Sequence, residues 1–301
     1  MSTTTDPQTQ TDTGAATSGT PIVRVSVPQR SLRSELRAIK IVWRRELIRF
    51  KSDRMRILTS LVQPLLFLFV LGSGLQTLSG PGTHGVDLKT FIYPGILCMS
   101  VMFTAMFSAA SIVWDREFGF LREMLVAPVS RSAIVIGKCL GGATVSTFQG
   151  IVILCLAGLA HVPYNPILLL EVIGELLLLS FTLTAFGVMM AARITQIQAF
   201  MALTQMLVMP LFFLSGALYP LRALPTWLTV LTRFDPITYV VYPMRHAVFS
   251  HLNVTPAASD ALSPPVTWGG WAVPVGVSLG IVAVMGAVLL VMAIAEFQRT
   301  E

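Results

Sequence analysis

Charge is scarce in this chain. Asp, Glu, Lys and Arg make up 12% of its 301 residues, about half the roughly 25% of an ordinary soluble domain. That balance, with 54% hydrophobic residues, excludes a water-soluble globule. Paired cysteines are missing too: Cys98, Cys139 and Cys155 fall inside or at the edge of apolar runs and no CxxC occurs, so they read as small hydrophobes. His84, His161, His246 and His251 are scattered without ligand spacing, and no metal site is expected. A phosphate-cradling loop is absent, since Gly137-Lys138-Cys139 lacks both the upstream glycine and the following hydroxyl. The chain therefore does not hydrolyse ATP by itself. No nucleophile elbow, zinc motif or facing carboxylate pair stands in the water-exposed loops, so it reads as no enzyme, with no cofactor of its own.

What is present is long apolar runs. A membrane helix needs about 20 apolar residues because each backbone amide must be satisfied within the segment. Six runs meet this, and the predicted spans are 57–78, 90–114, 134–160, 167–192, 197–219 and 271–295. The fold class is an all-α polytopic membrane protein. Six spans place both termini on one side, which collects 17 of the 21 Lys and Arg, leaving Lys89, Arg222, Arg233 and Arg245 opposite. The positive-inside rule makes both termini cytoplasmic, in a cell membrane. The net charge of +6 needs no nucleic acid, because 11 basic residues lie between Arg24 and Arg56, beside anionic lipid.

Residues 1–30 read as a disordered cytoplasmic tail, the first 21 rich in Thr, Ser, Gln and Pro. Over 31–56, Leu32, Leu36, Ile39, Trp43, Leu47 and Phe50 recur at helical spacing among Arg and Lys, predicting an interfacial helix with that stripe in the leaflet. Residues 296–301 read as a short cytoplasmic tail. A polar island, Asp115 to Arg131, separates spans two and three. Phe118, Phe120, Leu121, Met124 and Leu125 cover one side of its helical wheel, with Glu117 among them, and Asp115, Arg116, Arg122 and Glu123 most of the other. Pro128 ends that helix and Ser130 caps the next span.

Beyond the fifth span, Pro225–Thr232 predicts a short helix carrying Trp227. Asp235-Pro236 predicts an N-cap and first position for a helix with Tyr239, Tyr242, Met244 and Phe249, ending near His251. Glu171 and Glu175 stand four residues apart on one side of the fourth span. A site for a cationic substrate, a polar relay and a proton site all fit them, as does a structural reading in which both reach the outer headgroups and bind water or Arg245. Pro64 and Pro210 interrupt the first and fifth spans. Gly72, Gly74, Gly141 and Gly142 suit close helix packing.

The run Arg116-Glu117-Phe118-Gly119-Phe120-Leu121-Arg122-Glu123-Met124-Leu125, followed by Ala127-Pro128-Val129-Ser130-Arg131 and Gly137-Lys138, resembles the coupling-helix region of type-2 ATP-binding-cassette exporter permeases. A second block, Pro210 to Pro220, then Leu224 to Trp227, Asp235 to Tyr239 and Met244-Arg245, resembles the fifth span and outer loop of the daunorubicin-resistance branch, which exports drugs and lipids. The resemblance runs from about Leu32 to the C-terminus. Asp235 departs from it where Asn is usual, and Phe118 and Phe120 flank Gly119 where smaller residues often stand.

The resemblance implies a permease that dimerises with itself or a related chain, sits among membrane lipids and docks two copies of a separate ABC ATPase, which uses ATP and Mg. It implies outward movement of an amphipathic drug or lipid, hence roles in lipid transport and antibiotic resistance. Glu117, Phe118, Gly119, Leu121, Arg122 and Glu123 would form the ATPase contact. On the fifth span Gln205, Met206, Met209, Phe212 and Phe213, with Glu171 and Glu175 on the fourth, would line the substrate pathway, and Trp227, Asp235, Pro236, Tyr239 and Arg245 would shape an outer gate. Three alternatives are a proton-coupled transporter using Glu171 and Glu175, a lipid-linked polysaccharide exporter, and a membrane-bound enzyme or scaffold.

Overall fold

The computed structural model describes residues 31–74, 87–120, 129–221, 225–252, 254–268 and 270–300. Its helices are α1 (Leu32–Ser52), α2 (Arg54–Gly74), α3 (Leu88–Glu117), α4 (Arg131–Leu154), α5 (Pro166–Arg193), α6 (Ile197–Leu214), α7 (Thr226–Thr232), α8 (Thr238–Ser250), α9 (Pro256–Leu262) and α10 (Val275–Thr300). A hairpin of β1 (Thr267–Trp268) and β2 (Trp271–Ala272) precedes α10. Six helices, α2 to α6 and α10, are long and apolar enough to cross a membrane.

Local capping explains most of the helix starts. Ser31 and Ser34 form a reciprocal box on α1, Asp87 accepts from the Lys89 amide, Ser130 from Ala133, and Asn165 from Ile167 ahead of Pro166. Helix α3 is the axis of the bundle. It packs against α2, α4, α5, α6 and α8, and 89% of its apolar window is buried, against 17% for α2 and for α6. Tyr93, Ile96, Leu97, Met99 and Met102 of α3 fill a core with Leu176, Tyr239, Met244 and Phe249. A second cluster, with Val113, Val135, Cys139, Phe200 and Phe297, lies toward the end of the bundle that carries α1. Much of α2 and α6 is left as uncovered apolar surface, including Leu66, Phe69, Met206 and Phe213.

Several expected boundaries shift. The interfacial helix ends at Ser52, not 56, because the Asp53 carbonyl accepts from Ile57 and starts a new helix there. The third span runs from 131 to 154 instead of 134–160: Ser130 caps it early, and after Leu154 the chain tightens into a 3-10 turn at Ala157–Ala160. The fifth stops at Leu214, short of 219, where Ser215 and Gly216 (φ +71°) turn the chain. The sixth begins at Val275, not 271, since Trp271 and Ala272 pair with β1 across Gly270 (φ +92°), and Pro274 then accepts from Ser278. Residues 296–300, expected as tail, are the last turn of α10.

Helix α1 docks on α4 through a face turned from the expected apolar stripe. Ala38, Val42 and Glu46 are buried, whereas Leu32 and Leu36 are exposed. Glycines on α4 allow this: a Cβ on Gly137 would lie 2.8 Å from Val42 Cβ, and one on Gly141 2.7 Å from Glu46 Cβ. The stripe's larger members flank the seam. Trp43 Nε1 donates to Thr144 Oγ1 at 3.1 Å, and Phe50 meets Phe148 edge-on at 6.2 Å.

Candidate functional site

The charges at the α1 end of the bundle are tied together by side chains far apart in sequence. Lys138, buried on α4, carries three N–H donors and spends them on three acceptors: Glu46 Oε1 at 2.7 Å, Asp115 Oδ2 at 2.6 Å and Ser111 Oγ at 2.9 Å. Arg45 also donates to Asp115, and Arg49 lies 3.5 Å from its other oxygen and 5.2 Å over the Trp114 ring. Asp115 thus joins α1, α3 and α4.

Its two neighbours hold other helices. Arg116 donates to the carbonyls of Ala191 (3.0 Å), Ala192 (3.1 Å) and Ile194 (2.8 Å), satisfying the C-terminal end of α5 with a cation where the helix dipole favours one. Glu117 Oε2 accepts from the Ile197 amide at 3.0 Å, placing a carboxylate at the N-terminus of α6. At the same end Arg193 grips the Glu296 carboxylate through two bonds of 2.9 and 2.6 Å, linking α5 to α10. Arg131 donates to the Gln298 carbonyl, and Ser130 to Glu35. Three consecutive residues, Asp115-Arg116-Glu117, therefore reach α1, α4, α5 and α6.

This corrects the island helix at its start. Asp115, Arg116 and Glu117 form the last turn of α3, and Gly119, at φ +81°, breaks it. Gly119 serves as that break, and the Glu117 carboxylate is engaged by α6. Beyond them Phe118 and Phe120 are 70% and 55% exposed. Leu121, Arg122 and Glu123, with the rest of 121–128, lie outside the described residues.

The pathway candidates divide. Gln205, Met206 and Phe213 are exposed on α6 and Met209 is half-buried. Phe212 faces the core, edge-on to Phe67 of α2 at 6.3 Å, and does not line that surface. A cavity of about 470 Å³ beside this face is bounded by Phe50, Gln63, Phe107, Trp114 and Met201, and Gln205 lies one helical turn beyond Met201. Glu171 and Glu175 sit elsewhere, in a groove bounded by α5, α8 and α10.

Of the proposed gate residues only Trp227 is exposed. Arg245 is buried, its guanidinium donating to Phe91 O (3.3 Å), Gly216 O (3.1 Å) and Ala217 O (3.0 Å) and lying 4.0 Å over the Phe91 ring. It makes no contact with the two glutamates. Tyr239 donates to Arg233 O and accepts from Trp268 Nε1. Asp235 caps the turn into α8, accepting from the Ile237 amide and the Thr238 hydroxyl, while Pro236 lies buried in that turn. Helix α8 consequently starts at Thr238, two residues after the expected first position.

Burial pushes the Asp235 carboxyl up to about 7 against those two hydrogen bonds. A folded acid that holds its proton above its ordinary value of 3.8 stabilises the fold most at low pH, and that contribution is lost as pH rises through about 7. Thermal unfolding of the purified permease between pH 4 and 8 should show this decline, and Asp235→Asn, whose carbonyl oxygen still accepts from the Ile237 amide while its NH2 donates to the Thr238 hydroxyl, should flatten it.

Six membrane-length helices, five of them tied at one end by the charged junction, define a multi-pass membrane protein. Residues 37–249 match the family model described as ABC-2 type transporter, and the chain belongs to that family. It is the membrane permease of an ABC transporter, and membership implies partnership with an ABC ATPase subunit. The putative transport permease ycf38 of Cyanophora paradoxa is 29% identical over 214 residues, 70% of this chain and 73% of the relative. The inner membrane transport permease YadH of Escherichia coli (strain K12) is 28% identical over 220 residues, 73% and 85% of the two chains. The probable multidrug ABC transporter permease YbhR of the same strain is 31% identical over 164 residues, 51% and 42%.

Proposed function

We propose that this chain is the membrane half of an ATP-driven exporter, moving an amphipathic drug or lipid-like substrate outward. ATP and Mg are handled by a separate ATPase, two copies of which dock on a permease dimer at residues 117–123. The observation that carries this is the Asp115-Arg116-Glu117 junction. A push delivered just beyond it, at Phe118 and Phe120, acts on residues bonded to α1, α4, α5 and α6 together. Exposed aromatics at the tip suit an apolar anchor in a partner groove, with Arg122 and Glu123 setting register. On this reading both termini and the junction face the cytoplasm, and the uncovered α2 and α6 surface with its cavity faces the second permease and the cargo.

The multidrug description of YbhR and the resemblance to drug- and lipid-exporting permeases favour a lipophilic cargo. So do the Phe, Trp and Met side chains around the cavity. Glu123→Arg tests the docking assignment. It is expected to lower ATPase activity coupled to transport about tenfold in the reconstituted complex while the permease inserts at wild-type levels; unchanged activity would remove Glu123 from the contact.

A further inference from the structure

We infer that the groove between α5, α8 and α10 is a binding site for an ammonium group carried on an apolar chain. It encloses about 630 Å³ and lies at the opposite end of the bundle from the charged junction. Glu171 and Glu175 enter it from α5, Pro243 and His246 from α8, and Leu279 from α10. Glu175 stands nine residues past the start of α5, roughly 14 Å along the axis at about 1.5 Å per residue. Its side chain is 5% exposed, and its Oε2 has no hydrogen-bond partner among the described residues.

A carboxylate oxygen at membrane depth without a donor is costly, and the described residues supply none. Neither glutamate is ion-paired among the described residues, and Arg245 on the adjacent helix is taken by three carbonyls. The vacancy in hydrogen bonding therefore calls for a donor from outside. Space is kept for it, since a Cβ on Gly174 would meet nothing within 4 Å. An ammonium N–H donating to the Glu175 carboxylate, with Glu171 one turn nearer the mouth, would stabilise its charged form. Leu170, Leu178, Val275 and Leu279 would cover the attached chain. A neutral alcohol can donate one hydrogen bond but brings no charge to balance the carboxylate, and an anionic amphiphile would be repelled.

The test is direct binding to the full-length permease in phosphatidylcholine nanodiscs. The probe is a dodecylamine carrying a dansyl group at its far end, and the control is the matching dansyl-labelled dodecanol. Wild type is expected to bind the amine at least tenfold more tightly than the alcohol. Glu175→Gln should erase that preference, and Gly174→Leu, which fills the groove while leaving both glutamates in the sequence, should weaken the amine at least fivefold. Equal affinity for amine and alcohol in the wild type would overturn the assignment, as would an amine preference untouched by both variants. Replacing half of the phosphatidylcholine by phosphatidylethanolamine separates the sources. Competition with the probe identifies a lipid headgroup as the occupant, and unchanged binding identifies a free amphiphile; either result upholds the site. Amine binding requires no ATPase, so failure here leaves the docking of an ATPase at 117–123 untouched, and the reverse.

Discussion

Lys138→Met is expected to lower the unfolding midpoint of the purified permease by on the order of 10 °C. Lys138 is the central cation of the junction, and its removal strands Glu46, which keeps only a 3.7 Å approach from Arg45, inside the α1–α4 seam. Deleting one partner of a buried ion pair typically costs about 3–5 kcal/mol, most of it the penalty of the charge left behind, and about 1 kcal/mol moves the midpoint of a chain this large by a few degrees. The double variant Lys138→Met with Glu46→Leu removes the stranded charge as well and should recover most of the loss. Melting curves monitored by size exclusion in detergent distinguish the two. If the single variant melts within 2 °C or so of wild type, the buried network is not what holds α1 to the bundle.

Arg245→Met is the second large effect. Its guanidinium satisfies the Phe91, Gly216 and Ala217 carbonyls at once, and each buried acceptor left unpaired costs about 1–3 kcal/mol. The exit of α6 is pressed onto α3 at this point: a Cβ on Gly95 would lie 2.5 Å from Ala217 Cβ. Without the arginine, the turn at Ser215–Ala217 and helix α8 should part from α3. Protease added to vesicles with this face exposed should cut between residues 214 and 237 at least tenfold faster than in wild type. Arg245→Lys should rescue little, because one ammonium cannot reproduce a planar fork that also stacks on Phe91. Equal cutting rates would show that the loop is held by α8 packing alone.

Much of this architecture was legible from the sequence. Apolar runs with few charges specify membrane-length helices because the bilayer leaves the backbone no other partner, and caps such as Ser130 and Asn165 are local. The boundaries that shifted, at Asp53, Gly216 and β1–β2, depend on turns that hydropathy does not register. The junction escaped for a different reason. Glu46 stands 92 positions before Lys138, and Asp115 stands 23 before it, while Lys138 read only as the lysine of a Gly-Lys pair. One signal was available: Asp115 and Lys138 interrupt otherwise apolar helix ends, where charge persists only with a partner. Arg245 carried the same signal. Gly137 and Gly141, one turn apart on the face that receives α1, mark where that helix docks.

On the proposed function, the segment following Asp115-Arg116-Glu117 receives a separate ATPase. The most direct measurement places a photo-crosslinking amino acid at Phe118, which is 70% exposed, and illuminates membranes of cells producing the permease at native levels. The expected result is one dominant adduct, identified by mass spectrometry as an ABC ATPase, with the same reagent at Phe107 on the apolar face giving no such adduct. Equal capture of the ATPase from both positions, or none from Phe118 in membranes that contain the assembled transporter, would contradict the account.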